Sequence, residues 1–332
     1  MQTLEHITGI IAGWAWGPWL LILLIGGGLY FLLRSRFLPF RHLGHGITIL
    51  LGRYADQDAP GQISHARALS AALAGTIGMG NIAGVALAIS IGGPGAIFWM
   101  WLTAVVGMAT KFFTCTLAVM YRGRDENGQV QGGPMYVITQ ALPRRWHFLA
   151  ALFATAGMIG ALPALQSNQL VQIIRDLIII DSGLTSASTD PLWINVACGV
   201  VLAVLTGLVV FGGIRRISQV AIAMVPTMSV LYLGTTVIAL LLHLDQVGPA
   251  LALIITDAFT GSAAAGGSLL AVILYGVRRG AYSNEAGIGT EALAHGAART
   301  DQPVREGLVA MIGPIIDTML VCTATALMIL IS

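Results

Sequence analysis

The sequence predicts an all-α polytopic membrane protein, from its composition, its recurring apolar runs and the placement of its basic residues. Of the 332 residues, 56% are hydrophobic and only 10% are charged, whereas a soluble domain carries about 25% charged residues. A helix of about 20 apolar residues, rising about 1.5 Å per residue, crosses a hydrocarbon layer of about 30 Å. Apolar runs of that length recur along the whole chain, which indicates folding within a bilayer.

The apolar runs define eight predicted membrane spans. They cover residues 15–33, 68–91, 94–120, 147–180, 191–212, 217–242, 248–276 and 304–331. The first run is interpreted as a retained span, because no basic segment precedes it and Arg34 and Arg36 follow it directly. Residues 277–305 are predicted to form the longest polar loop.

The basic residues predict the orientation of the chain. All but two of the 17 Lys and Arg residues lie between predicted spans and on alternate connections, the exceptions being Lys111 and Arg175. Because basic residues concentrate in cytoplasmic loops, the pattern predicts a multi-pass protein of the cytoplasmic membrane with its N-terminus outside. The three cysteines all lie in apolar stretches, which argues against disulfides and metal sites.

Two spans are predicted to be broken helices. The second contains glycine with polar residues at 75–81, and the seventh contains the same mixture at 257–267. Glycine costs a helix interior up to about 1 kcal/mol relative to alanine, and paired glycine-interrupted spans mark the central site of many transporters. Close helix packing through small residues is the alternative interpretation. Asp257 is expected to cap a helix near the outer face.

Five stretches of the sequence are specific enough to suggest a family. They are residues 78–85, 92–107, 107–112, 132–136 and 283–289. The longest, GGPGAIFWMWLTAVVG, resembles the signature of the alanine or glycine:cation symporters, the sodium:alanine symporter family within the amino acid-polyamine-cation superfamily. The resemblance extends from about residue 10 to the last residue.

The resemblance implies a leucine-transporter-like inverted five-helix repeat with an extra N-terminal helix. Residues 15–33 would form the extra span, 68–242 the first repeat, and 248–331 the first two helices of the second repeat. The implied function is secondary active symport of a small neutral amino acid, alanine or glycine, with Na⁺ as coupling ion, by alternating access. Such a protein is not an enzyme, and neither a cofactor nor nucleic acid is implied. An H⁺-coupled carrier, or a receptor or channel that does not transport, stays open as an alternative.

A broken helix can bind a zwitterion without ionisable side chains, since its free N–H groups attract a carboxylate and its free carbonyls attract a cation. The predicted substrate-binding residues are Thr76, Gly78, Gly80, Asn81, Gln166, Phe259, Thr260 and Gly261. Gln166 follows from the resemblance, and Phe259 would form a lid. The predicted cation-binding residues are Ala74, Ile77, Asn81, Thr260 and Asp317.

Lys111 and Asp317 are ionisable residues deep within predicted spans, where such residues are rare and usually pair. One alternative is that the two residues form a structural ion pair with each other. The other is that Asp317 is a cation ligand together with Asn81 and Thr260. No catalytic residues are predicted, because no histidine lies within a core span and Asp317 is the only deep aspartate. No metal other than Na⁺ is expected.

The sequence ends at Ser332, after an apolar span and only two predicted helices of the second repeat. We expect three further helices to be missing from this C-terminally truncated chain, which would leave polar groups facing lipid. The 332 residues alone should therefore insert poorly and transport nothing, whereas the continued reading frame should encode about three more apolar spans. Saturable, Na⁺-dependent alanine uptake by the purified 332-residue chain would contradict this expectation.

Overall fold

The structure is a computed structural model that describes residues 2–182, 191–261 and 268–332. It confirms an all-α architecture. The helices are α1 Gln2–Ala15, α2 Pro18–Leu21, α3 Gly27–Arg34, α4 Leu38–Arg41, α5 Leu43–Leu50, α6 His65–Thr76, α7 Ala83–Gly92, α8 Ala96–Met120, α9 Pro134–Ala141, α10 Phe148–Gly160, α11 Ala164–Ile173, α12 Pro191–Val210, α13 Gly213–Leu242, α14 Leu244–Thr260, α15 Leu269–Asn284, α16 Glu291–Gly296, α17 Pro303–Ala310 and α18 Thr323–Ile331. π-Helical turns lie at Ile22–Gly26, Ile174–Ile180 and Ile315–Cys322, and a 3₁₀ turn at Arg144–Trp146.

Within the described residues, five helical stretches are long and apolar enough to cross a membrane. They are Thr8–Arg34, Ala96–Met120, Leu192–Val210, Gly213–Leu242 and Pro303–Ile331. Each corresponds to one of the eight predicted spans. The other three predicted spans, at 68–91, 147–180 and 248–276, are each divided into two helices.

The interruption of the second predicted span is confirmed, since residues 77–82 between α6 and α7 are not helical. The seventh predicted span divides at Gly261, whose φ of +66° ends α14 in the left-handed conformation that glycine adopts readily. The prediction of a long loop from residue 277 was wrong, because α15 continues to Asn284. The prediction of one continuous helix for the fourth span was wrong, because residues 161–163 interrupt it before α11.

The centre of the molecule is α8, which packs most closely against α15 and α17. Small residues permit the approach: a Cβ added to Gly307 of α17 would lie 2.1 Å from Thr116 Oγ1, and one on Gly280 of α15 would lie 2.8 Å from Thr103 Cβ. The predicted cap is confirmed, since Asp257 of α14 accepts a hydrogen bond of 2.8 Å from the N–H of Gly95 at the start of α8.

A short antiparallel ribbon follows α8, with β1 Gly123–Arg124 paired to β2 Val130–Gln131. Asp125 closes its turn by accepting the N–H of Gln129 at 2.8 Å. That backbone hydrogen bond lowers the pKa of Asp125 below the usual aspartate value, because it stabilises the carboxylate.

Arg122 holds together two loops, the one before α6 and the one after α16. Its guanidinium donates to the carbonyl oxygens of Gly296 at 2.8 Å, of Pro60 and Thr300 at 3.1 Å each, and of Ala298. Burial lowers the pKa of Arg122 to about 10, which still leaves the group charged at neutral pH. One side chain therefore fixes two loops that are distant in sequence.

A buried carboxylate lies beside these loops and joins three helices. Glu306 of α17 accepts from His65 Nδ1 at the start of α6 through one oxygen, and from His295 Nδ1 of α16 through the other. Glu306 and His295 are fully buried, and His65 is 5% exposed. The start of α6 is thereby attached to the start of the last span.

Replacement of Glu306 should be strongly destabilising. Glu306→Ala leaves two imidazole nitrogens buried without their acceptor, and breaking a buried charged network costs about 3–5 kcal/mol. The matched control is Arg305→Ala, since Arg305 makes only a half-exposed contact of 4.0 Å to Asp301 and lies over the Tyr54 ring. Arg305→Ala should lower the free energy of unfolding by about 1 kcal/mol or less. Denaturant unfolding in detergent compares the two, and equal costs would contradict a structural role for Glu306.

Candidate functional site

The gap between α6 and α7 exposes unpaired backbone groups of both polarities. Within the described residues, no donor contacts the carbonyl oxygens of residues 74–77 at the end of α6. The N–H groups of Met79 and Gly80 likewise have no acceptor there. Ala74, Gly75 and Gly78 are exposed, so the gap is accessible. Carbonyl oxygens that suit a hard cation therefore lie next to N–H groups that suit an anion.

Asn81 fixes the shape of this gap. Its Oδ1 accepts the N–H of Gly78 at 2.9 Å, and the N–H of Asn81 donates to the Gly78 carbonyl at 3.1 Å. Its Nδ2 lies within hydrogen-bond distance of Ser283 Oγ at 3.3 Å, the Asp317 carbonyl at 3.1 Å and the Asp317 carboxylate. Asn81 is 1% exposed. The amide thus connects the gap to α15 and to the last span.

Asp317 provides the charge of this cluster. It lies in the π-helical turn Ile315–Cys322, a geometry often found at functional sites. Its Oδ2 accepts hydrogen bonds of 3.0 Å from both Ser283 and Thr318. Cys322 Sγ completes the cluster, at 3.3 Å from Asn81 Nδ2 and 3.2 Å from Ser283 Oγ. A carboxylate at membrane depth is stabilised by such surrounding donors.

The predicted ion pair between Lys111 and Asp317 is not formed in the structure. Both are described residues and both are buried, yet no nitrogen–oxygen distance between them falls within 4.0 Å. The Lys111 ammonium instead lies beside Gly313, 3.5 Å from where a Cβ on that glycine would be. The physical reason is that the Asp317 carboxylate accepts hydrogen bonds from Asn81, Ser283 and Thr318 instead.

The other predicted site residues are spread more widely. Thr76 is buried and its hydroxyl contacts the carbonyl of Leu73 in its own helix, at 3.4 Å. Thr260 donates to Thr256 within α14, at 3.2 Å, and is not among the partners of Asn81. Gln166 is exposed on α11, which packs against α12 and its own π-helical continuation. The structure does not bring Gln166 to the gap.

Phe259 and Gly261 lie at the end of α14. The Phe259 ring is 57% exposed and contacts the rings of Phe98, at 5.1 Å between centroids, and Trp99, at 6.2 Å. The N–H of Gly261 donates to the Asp257 carbonyl at 2.9 Å. Residues 262–267, which follow Gly261 and carry most of the predicted second interruption, lie outside the described residues. The roles assigned to Phe259 and Gly261 stay predictions.

Sequence reasoning missed four residues around the gap: Ser283, Thr318, Cys322 and Glu285. The first three surround Asp317, and Glu285 Oε1 lies 3.9 Å from the position that a Cβ on Gly75 would take. Glu285 has a φ of +53°, an uncommon conformation for a residue other than glycine. The motif SNEAGIG already contained Ser283 and Glu285, but its placement in a loop concealed their proximity to the gap.

Comparison with known proteins identifies the family of the chain. A model of the sodium:alanine symporter family matches residues 1–332. This chain belongs to that family. The family is one of transporters and not of enzymes. The apolar helices of this chain fit a multi-pass membrane protein. No group of three or more His, Cys, Asp or Glu side chains within the described residues is arranged to hold a metal ion.

Three relatives illustrate the similarity. An uncharacterized transporter of Haemophilus influenzae is 42% identical over 100% of this chain and 71% of its own length. The sodium/alanine symporter AgcS of Methanococcus maripaludis is 40% identical over 98% of this chain and 70% of its own. The probable sodium/glutamine symporter GlnT of Bacillus subtilis is 37% identical over 100% of this chain and 66% of its own.

The cluster predicts a defined effect of Asp317→Asn. The substitution removes the charge and turns an acceptor into a donor facing Asn81 or the two hydroxyls, and hydrogen bonds to charged groups contribute about 1.5–3 kcal/mol each. We expect the free energy of unfolding to fall by at least that amount. The double substitution Lys111→Met with Asp317→Met should not restore it.

The matched control is Thr325→Ala: Thr325 lies in the same span as Asp317, and its loss removes a 2.6 Å contact to Tyr232 of α13 but leaves the cluster intact. Its cost should be about 1 kcal/mol. Full rescue by the double substitution would instead support a direct interaction of Lys111 with Asp317.

Proposed function

We propose that this chain serves secondary active symport of a small neutral amino acid, alanine or glycine, coupled to Na⁺. Membership of the sodium:alanine symporter family supports the coupling ion and the class of substrate. The names of two relatives, a sodium/alanine symporter and a probable sodium/glutamine symporter, support a neutral amino acid as cargo. The observation that carries the proposal is the gap between α6 and α7, where unpaired carbonyl groups and unpaired N–H groups follow each other along the chain.

The substrate carboxylate would bind the free N–H groups of Met79 and Gly80. These groups lie just before α7, where the positive end of the helix dipole also favours an anion. The N–H of Gly78, which the sequence also suggested, is engaged by Asn81 in this conformation. Gly78 would therefore shape the site rather than bind the carboxylate directly.

The cation would bind the free carbonyls at the end of α6, among them those of Ala74 and Ile77. Na⁺ is a hard cation that prefers oxygen ligands, and these carbonyls also carry the negative end of the α6 dipole. The carboxylate of Glu285 near Gly75 adds negative charge on the same side. Asp317 supports this arrangement through Asn81, and Thr260 is retained as a further proposed ligand from α14.

Alternating access is proposed on the same ground. Two of the three divided spans, α6 with α7 and α14 with α15, would be the paired broken helices of an inverted-repeat transporter. In such proteins one bundle moves against the other around a central site. The leucine-transporter-like repeat is therefore part of the proposal.

Transport assays test the proposal. Cells that express the protein should take up labelled alanine in a saturable manner, and replacement of Na⁺ by K⁺ should abolish the uptake. Preloading vesicles with unlabelled alanine should accelerate entry of the label, because a carrier exchanges substrate whereas a receptor does not. Uptake that follows a proton gradient without Na⁺ would contradict Na⁺ coupling.

Gly80→Val tests the backbone site itself. A Cβ at Gly80 would lie 3.5 Å from the Ser283 Cα and 3.7 Å from the Tyr282 ring, so the branches of valine would collide with α15 and displace the N–H groups. We expect at least a tenfold loss of alanine affinity with membrane insertion preserved. Gly234→Val is the control, since nothing lies within 4 Å of a Cβ there. Normal affinity of the Gly80→Val protein would exclude the proposed carboxylate site.

A further inference from the structure

A basic cavity of about 580 Å³ lies at the start of α6, at the opposite end of that helix from the α6–α7 gap. Helices α6 and α13 surround it, together with the loop before α6 and the loop after α16. Its charged and amide lining residues are Gln62, Arg67, Arg215, Arg216, Gln219 and Arg299. We refer to it as the arginine cavity. Its lining contains four guanidinium groups and no carboxylate.

Among the described residues, the guanidinium groups of the four arginines of this cavity have no partner. Within the part of the chain that the structure describes, none of them forms an ion pair within 4.0 Å, and no hydrogen bond from their guanidinium groups is formed. Arg67 and Arg299 are half-buried, so their charges are partly removed from water. Like charges that converge on one cavity repel each other. An anion in the cavity would relieve that repulsion.

The walls of the cavity are fixed by hydrogen bonds that do not involve the guanidinium groups. The backbone N–H of Arg299 donates to the Ile63 carbonyl at 2.6 Å, and Gln62 Nε2 donates to the Val130 carbonyl at 2.9 Å. Arg122 donates hydrogen bonds to the carbonyls of Ala298 and Thr300, on either side of Arg299. A fixed backbone around the cavity lowers the entropic cost of bringing these side chains together around a ligand.

We propose that the arginine cavity binds a phosphate group, carried by an anionic phospholipid or by a free phosphate compound. Guanidinium groups match phosphate oxygens in bidentate geometry and stay charged at all physiological pH values. The distribution of basic residues predicts that this side faces the cytoplasm, where anionic head groups are abundant. The bound phosphate would bridge α6 to α13 and brace the start of the divided span, whatever the transported substrate.

Lipid binding to the purified chain in neutral detergent tests the proposal. Dissociation constants for phosphatidylglycerol, phosphatidylcholine and inorganic phosphate are measured by the shift in melting temperature and by native mass spectrometry. Phosphatidylglycerol should bind at least tenfold more tightly than phosphatidylcholine, and its affinity should fall as salt rises. Arg215→Gln with Arg216→Gln should weaken phosphatidylglycerol binding about 25-fold, from roughly fivefold for each charge.

Arg53→Gln is the matched control, because Arg53 is an exposed arginine outside the cavity. It should leave binding within about twofold, whereas it would weaken binding roughly fivefold if any basic residue near the membrane surface sufficed. Arg299→Gln serves as a second variant if the double variant does not fold. Competition by millimolar inorganic phosphate would assign the site to free phosphate compounds, and its absence would assign it to the lipid head group. Equal binding of the two lipids without any phosphate binding, or equal losses in the cavity and control variants, would overturn the proposal.

Discussion

The divided span depends on one side chain, the amide of Asn81. A helix that is interrupted at membrane depth must turn its freed backbone groups toward protein or a wet cavity, since lipid supplies no hydrogen bonds. Asn81 satisfies the N–H of Gly78 and is itself held by Asp317 and Ser283. Because these partners belong to α15 and to the last span, the shape of the gap is set by three elements together. A movement of either partner would change the distance between the carbonyl and N–H groups that we propose as the site.

The first half of the divided span is held at both of its ends by the same partner. At its start His65 contacts Glu306, and at its end Asn81 contacts Asp317. Both acids belong to the stretch Pro303–Ile331. The helices that carry these two attachments also pack against α8, through α17 and the π-helical turn Ile315–Cys322. Such an arrangement resists sliding of α6 along the last span, so we expect these helices to move as one body in any conformational change.

Much of the fold could be predicted from the sequence, because hydrophobic length and glycine content are local properties. The interruption near Gly78 followed from glycine and polar residues within an apolar run. The extent of α15 could not be predicted, because Arg278 and Ser283 are polar and suggested a loop. Both residues lie on a helix that packs against α8. Pro163 was a sign of the third interruption, since proline ends or bends helices.

The site was harder to predict, because sequence spacing does not determine how helices rotate against each other. Lys111 and Asp317 carry the opposite charges of an ion pair, yet Asp317, within its π-helical turn, contacts Asn81 instead. Gln166 was assigned through family resemblance, and in this structure it is exposed on α11. The cluster around Glu306 could not be inferred either, since its partners His65 and His295 come from different elements.

The proposed site also gives a physical reason for coupling between ion and substrate. A cation at the carbonyl end of the gap and a carboxylate at the N–H end would be opposite charges a few ångströms apart. At about 5 Å and an effective dielectric constant of about 20, their attraction is about 3 kcal/mol, or about two orders of magnitude in affinity. Coupling of this kind is reciprocal, so each ligand strengthens the binding of the other by the same factor. One interrupted helix could thus bind both ligands cooperatively without an ionised side chain in contact with either, provided that Asn81 keeps the two sets of backbone groups adjacent.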